Sequence, residues 1–263
     1  KRELDEKARQ IIKMNEELEK MVKERTAQLS DALKELEAFT YTVSHDLKSP
    51  LRSIDLYSRF ILEDYSGELN DEVKNMVMSI RSICGNMFEL IDNLLLYSMT
   101  AKARPELTTV DMDTLFRNTF KDMAKPLKDR EIEFTVEGRL PEVTGDAVLL
   151  KQVVSNILSN AVKFTRNEKQ AKIVVKHCFE DHKVWFSVTD NGVGFDMKHA
   201  SKLFGIFQRM HTQNQFEGFG IGLATVKKII DKHGGEVGIH SEEGIGTTVR
   251  FSLPVSPGKD ANV

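Results

Sequence analysis

Cysteine is scarce in this chain of 263 residues: there are only two, Cys84 and Cys178. They lie in separate apolar segments without C-x-x-C or metal-ligand spacing, which argues against a disulfide scaffold and for reduced, buried thiols in a cytoplasmic setting. Long hydrophobic runs are missing too. No stretch of about 18 apolar residues occurs and no signal-peptide pattern opens the chain, so nothing in it reads as a membrane span. Neither sign of charge dominates, since 37 Lys and Arg face 40 Asp and Glu for a net charge of -3. A global basic field for nucleic acid or an anionic membrane is thereby excluded, and any anion site must be local. Beginning with Lys1 rather than Met, the sequence reads as a piece of a longer protein, in which a membrane anchor would lie upstream.

Glycine and proline are absent from the first 40 residues, which are charge-rich and repeat apolar positions every seven. Val22, Leu29, Leu36 and Val43 form one seam position, and Leu18, Arg25, Ala32 and Phe39 form the position four residues before each. This is the pattern of a coiled-coil seam. Backward, it takes in Leu4, Ile11 and Asn15, and a seam Asn favours a parallel dimer in fixed register. A single helix packed on its own domain is the alternative. The count places His45 beside Val43 but off the seam, hence facing solvent, and Pro50 is expected to break the hydrogen-bond ladder and bend the helix there. "DYSGELND" then supplies a turn with Asn70 or Asp71 as N-cap. The next helix carries Val73, Met76, Val77, Ile80, Ile83, Met87, Leu90, Ile91 and Leu94 on one broad face. A hairpin so apolar buries its stripe best against a copy of itself, with Leu51, Ile54, Ile80, Ile83 and Met87 in a shared core.

Beyond Pro105 the character changes. Helical stretches at 112–128, 146–164 and 221–233 alternate with the strand-like runs "IEFTVE", "KIVVKHCF", "VWFSVTD", "GEVGIHS" and "GTTVRFSLP". The expected architecture is helices on one face of a mixed sheet. Residues after Pro254 read as a loose tail.

Four clusters in this second part can carry chemistry. "LLKQVVSNILSNAVKFT" sets Asn156 and Asn160 one turn apart on one face, with Lys163 a turn further. Buried amides need partners, and amide oxygens plus an ammonium suit a magnesium-nucleotide phosphate chain. "VTDNGVGF" ends a strand at Asp190 and adds Gly192 and Gly194, which let backbone pass close over a flat ligand while the carboxylate accepts from an exocyclic amine. "GFGIGLATVKKII" puts Gly218, Gly220 and Gly222 just before a helix, where free N–H groups hold phosphate oxygens. Its G-x-G-x-G spacing is not the dinucleotide fingerprint. "SEEGIGTTV" adds Gly244 and Gly246, equally readable as an ordinary β-turn.

Taken in order, the clusters resemble the sensor histidine kinases of two-component systems, most closely the phytochrome-type and PAS-linked ones. "SHDLKSPLRSI" resembles the family's H box, and the later clusters its N box, glycine boxes and F box ("LFGIFQRM", with Phe204 and Phe207). The resemblance implies a coiled-coil signalling helix at 1–36, a dimerisation and phosphotransfer domain at 37–104 forming an antiparallel four-helix bundle from two chains, a Bergerat-type α/β sandwich that binds ATP at 105–255, and a tail at 256–263. It implies autophosphorylation of His45, with Asp46 and Ser49 as its catalytic neighbours. It further implies Mg2+ on Asn156, phosphate contacts from Asn160 and Lys163, and adenine recognition by Asp190. Gly192, Gly194, Gly218, Gly220 and Gly222 would frame the pocket and a lid over roughly 203–220, with Phe164, Phe207, Ile221, Leu223 and Thr247 also in the nucleotide site. The phosphoryl group would pass to the receiver domain of a response regulator, and no nucleic acid is implied. Phe219 stands where the family commonly has Thr or Ser, and Ser49 where relatives often have Thr or Asn at a position tied to dephosphorylation.

The chemistry fits the residues. Imidazole, with a reference pKa of about 6.5, is largely neutral at pH 7 and offers one ring nitrogen as nucleophile. Asp46 is placed to hold the other ring N–H, as the orienting carboxylate does in a triad. Two rival readings keep the same nucleotide fold. One is an ATPase clamp resembling gyrase B, heat-shock protein 90 or MutL, which typically puts a Glu where Asn156 stands; an amide cannot take a proton from water. The other is a dimerising pseudokinase scaffold, for which Phe219 is the one supporting feature.

Overall fold

The structure, a computed structural model, describes residues 2–99, 105–125, 127, 130–208, 216 and 218–255. The chain divides into two compact units, Lys1–Ile91 and Asp92–Val263.

The first unit is built on helix α1, Arg2–Asp64, and most of helix α2, Asp71–Met99. Helix α1 continues as one element through Pro50, whose ring lacks the N–H for the i to i-4 bond. Pro50 and Asp46, the residue whose carbonyl loses its donor, are both exposed, so water can take up the missing bond. Asn70 caps α2, its Oδ1 accepting from Val73 N–H at 2.8 Å, with Asp71 and Glu72 favourably placed in the first turn.

Burial along the hairpin has a seven-residue period. Ser44, Leu51 and Ser58 are buried on α1, and Val77, Cys84 and Ile91 on α2. Within one chain only the opposite helix can cover these rows, and the Arg81–Asp55 ion pair, 3.0 Å, crosses between them. Leu51 is therefore already covered within one chain. Leu47, Ile54, Ile61, Met76, Ile80 and Ile83 remain exposed. Upstream, Ile11, Leu18, Val22 and Leu29 are exposed as well. The 22/29/36/43 row lies one residue out of phase with 44/51/58, so the apolar seam shifts around the helix where His45 stands.

The second unit contains β1 (Thr108–Asp111), α3 (Met112–Ala124), β2 (Ile132–Val136), β3 (Glu142–Gly145), α4 (Ala147–Phe164), β4 (Ala171–Glu180) and β5 (Lys183–Asp190). A 3-10 turn at Met197–Lys202, α5 (Gly222–Lys232), β6 (Val237–Glu242) and β7 (Gly246–Pro254) complete it. The main sheet has the order β2-β4-β5-β7-β6, parallel only between β2 and β4; β1 and β3 form a separate antiparallel pair. Period-two burial decides the faces: Val184, Phe186 and Val188 of β5 point inward, as do Val249, Phe251 and Leu253 of β7. They share one core with Phe116 of α3, with Leu150, Val154, Ile157 and Leu158 of α4, and with Val226, Ile229 and Ile230 of α5. Helices on one face of a mixed sheet is thus the observed architecture. On the outer face Lys172 pairs with Glu133, Lys176 with Glu137, and Arg250 lies over Trp185.

Cys178 is a correction. Cys84 is buried as expected, but Cys178 opposes Trp185 on the outer face and is exposed. An apolar segment does not tell which of its alternate residues point out until the register is fixed.

Candidate active site

His45 projects from the exposed side of α1, with its side chain 75% and that of Asp46 70% accessible. The imidazole Nδ1–H donates to Asp46 Oδ1 at 3.2 Å, which leaves the Nε2 lone pair outward. An exposed pair of this kind contributes at most about 1 kcal/mol, so its effect is on tautomer and ring orientation, not stability. Ser49, one turn on, is exposed on the same side.

In the second unit the polar stripe of α4 is the wall on which the other groups converge. Asp146 caps the helix, accepting from Val148 and Leu149 N–H with Oδ1 and from Glu106 N–H with Oδ2. Burial pushes its carboxyl up, but these three backbone donors outweigh that and hold it below the usual carboxylate range. Further along, Asn156 Oδ1 accepts from Gln152 Nε2 at 3.2 Å and its Nδ2 donates to Gly222 O at 3.3 Å, so the amide ties α4 to the start of α5. Lys163 Nζ donates to Asn160 Oδ1 at 3.2 Å and lies 4.4 Å above the Phe164 ring. A Cβ on Gly218 would come within 3.1 Å of that ammonium. The N box and the second glycine box are thereby in direct contact.

Asp190, at the end of β5, is buried. Burial pushes its carboxyl up to about 6, against the opposing pull of the N–H groups of Gly192 and Thr247. Gly192 N–H donates to Asp190 Oδ1 at 2.9 Å, and a Cβ on Gly192 would stand 2.6 Å from Phe164 O. Gly194 and Gly246 have positive φ, and in each a Cβ would fall 1.9 Å from a backbone oxygen, that of Glu242 and of Asp190 respectively. Gly244 N–H donates to Val193 O at 2.8 Å. The turn at Gly244 and Gly246, ambiguous in sequence, closes on the Asp190 loop.

The remaining expected residues divide. Ile221 is buried and α5 begins at Gly222 without a side-chain cap, which leaves its positive pole for an acceptor. Leu223 packs against the core. Thr247 reaches Asp190 through its backbone, while its hydroxyl is bonded to Ser241 Oγ at 2.8 Å. Phe207 is exposed in a left-handed conformation, φ 62°, and donates its N–H to Gly220 O at 3.0 Å. Residues 209–215 and 217 of the expected lid, and the expected tail, lie outside the described residues.

Several supporting residues escaped the sequence reading. Arg130 donates to Val162 O at 2.6 Å and to Thr165 Oγ1 at 2.8 Å, closing the C-terminal end of α4 from a loop 32 residues upstream. His233 is buried, with Nδ1–H donating to Ile229 O and Nε2 accepting from Asp146 N–H, so it joins α5 to the N-cap of α4. Phe216 is buried against Phe164. None has a local signal beyond residue type, although an aromatic two residues before a glycine cluster is a faint one.

Two family models match this division of groups. The His Kinase A (phospho-acceptor) domain matches residues 35–101, which contain His45, and the histidine kinase-, DNA gyrase B- and HSP90-like ATPase matches residues 145–257, which contain Asn156, Asp190 and the glycine clusters. The chain belongs to the sensor histidine kinases. Among family members, the phytochrome-like protein Cph1 of Synechocystis sp. is 32% identical over 245 residues, covering 93% of this chain and 32% of the relative. The methanogenesis regulatory histidine kinase FilI of Methanothrix harundinacea is 32% identical over 233 residues, covering 89% and 26%. The chain thus spans about a third or less of the length of these sensor kinases. Among solved structures, full-length ShkA in complex with AMPPNP superposes with a TM-score of 0.62 at 28% identity, over 82% of this chain and 45% of that one.

Proposed function

We propose that the chain binds ATP with Mg2+ in the second unit and transfers the γ-phosphoryl group to His45, from which it passes to an aspartate of a response-regulator receiver domain. The observation that carries this reading is the polar stripe of α4. Its positions 152, 156, 160 and 163 are Gln, Asn, Asn and Lys, with no carboxylate to activate water. A site that binds phosphates without a base for hydrolysis suits transfer to an acceptor elsewhere, and the exposed His45 with its Nε2 free is such an acceptor. The structurally similar ShkA in complex with AMPPNP supports nucleotide binding by this chain.

In this scheme Asp190 accepts from the adenine amino group, Lys163 and the uncapped start of α5 contact the phosphates, and Asn156 Oδ1 holds the metal. Magnesium commonly takes few ligands from protein, and Asn156 Oδ1, which here accepts from Gln152 Nε2, would supply one. Bound magnesium supplies charge neutralisation along the phosphates. The His45 Nε2 lone pair forms the N–P bond as the bond from the γ-phosphorus to the bridging oxygen breaks, and ADP leaves. Nδ1–H stays on Asp46, whose carboxylate balances the positive charge that develops on the ring. Receiver docking on the bundle follows the same reading, as do the partition at 1–36, 37–104 and 105–255, an upstream sensor domain and a cytoplasmic location.

Incubation with γ-labelled ATP and magnesium tests the assignment. Label lost in acid but stable in alkali, abolished by His45→Gln while ATP binding is retained, is expected. Undiminished label in that variant overturns it.

A further inference from the structure

Phe216 is only 5% exposed, although it belongs to no helix or strand. Its ring meets that of Phe164 edge-on, with centroids 5.1 Å apart and planes at 64°. The Arg166 guanidinium lies over the Phe216 ring at 5.1 Å, and the Lys163 ammonium over the Phe164 ring at 4.4 Å. Cation, ring, ring and cation follow one another: Lys163 and Phe164 end α4, and Arg166 follows its C-cap Thr165. The fourth comes from just ahead of Gly218, whose α-carbon faces the same ammonium.

We propose that Phe216 is a positioning residue for nucleotide binding: it fixes the Phe164 ring, and with it the Lys163 ammonium, and pins the second glycine box to the end of α4. This rests on reading the site as a nucleotide pocket. The physical ground is that an edge-on aromatic neighbour adds to the restraint a cation gives a ring, and Phe216 meets the Phe164 ring in this way. Arg166 in turn lies over the Phe216 ring. Removing the Phe216 ring takes that contact away and loosens the Phe164 ring, so that Lys163 is held less firmly for the nucleotide. The cost falls on binding, because His45 and the reacting bond are untouched.

The test compares the full chain with its Phe216→Ala, Phe216→Leu and Phe216→Tyr variants. ATP with magnesium is titrated calorimetrically, and KM and kcat for labelling of His45 are measured well below the melting temperature. Loss of the ring in the Ala and Leu variants is expected to raise Kd and KM by roughly 5- to 10-fold, the size of one lost ring contact, with kcat within about twofold of wild type. The Tyr variant restores both. The Leu variant keeps apolar bulk, so folding does not decide the result. The inference is overturned if Phe216→Leu binds ATP within twofold of wild type, or if Phe216→Tyr binds as weakly as Phe216→Leu. If the wild-type chain itself fails to bind ATP, the nucleotide reading falls and this inference with it, an outcome visible before any variant is compared.

Discussion

A carboxylate that is buried with only backbone N–H groups for company is poised for a ligand, and Asp190 is in that state. Its pKa of about 6, against an ordinary 3.8, means that the folded chain without ligand holds this proton more tightly than the unfolded chain does. Stability therefore falls as pH rises from about 4 to about 6 and stays reduced above that, by roughly 3 kcal/mol at most. Asp190→Asn removes the buried charge, while its amide oxygen can still accept from Gly192 N–H. The amide NH2 then faces the adenine amine, donor against donor. The variant is expected to melt higher than wild type at pH 7.5 and equally near pH 4, yet to bind ATP at least tenfold more weakly. Wild-type affinity for ATP should itself weaken as pH drops through about 6, because a protonated carboxyl is the poorer acceptor. Thermal melts and titrations across pH 5 to 8 check both. Asp190 was legible in the sequence because a strand ends in D-x-G-x-G. Its elevated pKa was not, since that depends on the distant Gly246 turn folding over it.

At the scale of elements, α4 shows what a sequence can and cannot say. Its apolar faces and its Asn-Asn-Lys stripe are local, and both were readable. The groups that close its far end and steady its first turn are not local: Arg130 comes from the loop before β2, and His233 from the end of α5. Burial lowers the Arg130 pKa yet leaves a charged donor at a helix C-terminus, where the macrodipole favours it. Arg130→Met should lower stability by about 1–3 kcal/mol in urea titrations, through loss of charged hydrogen bonds to Val162 and Thr165. It should also raise KM for ATP, since Lys163 and Phe164 stand on the loosened turn. The same contrast explains the misreading of Cys178, which faces out because strand register, not composition, sets its side.

For the whole molecule, the hairpin's two kinds of apolar row separate folding from association. Cys84 and Val77 are closed within one chain, while Ile80 is 43% exposed on a row that a second copy can cover. Ile80→Glu is expected to yield folded monomers by light scattering, with helical content near that of wild type. Loss of helix along with the dimer would place Ile80 in the hairpin's own core instead. The central claim is that the chain holds ATP for transfer and not for hydrolysis, and a single-turnover experiment tests it most directly. Excess chain is mixed with γ-labelled ATP and magnesium, and label is followed into protein and into inorganic phosphate over time. The account predicts that label appears first on His45, that free phosphate follows only after that species has formed, and that His45→Gln leaves the ATP intact. Free phosphate released at the same rate by wild type and His45→Gln, with no labelled protein, would contradict it.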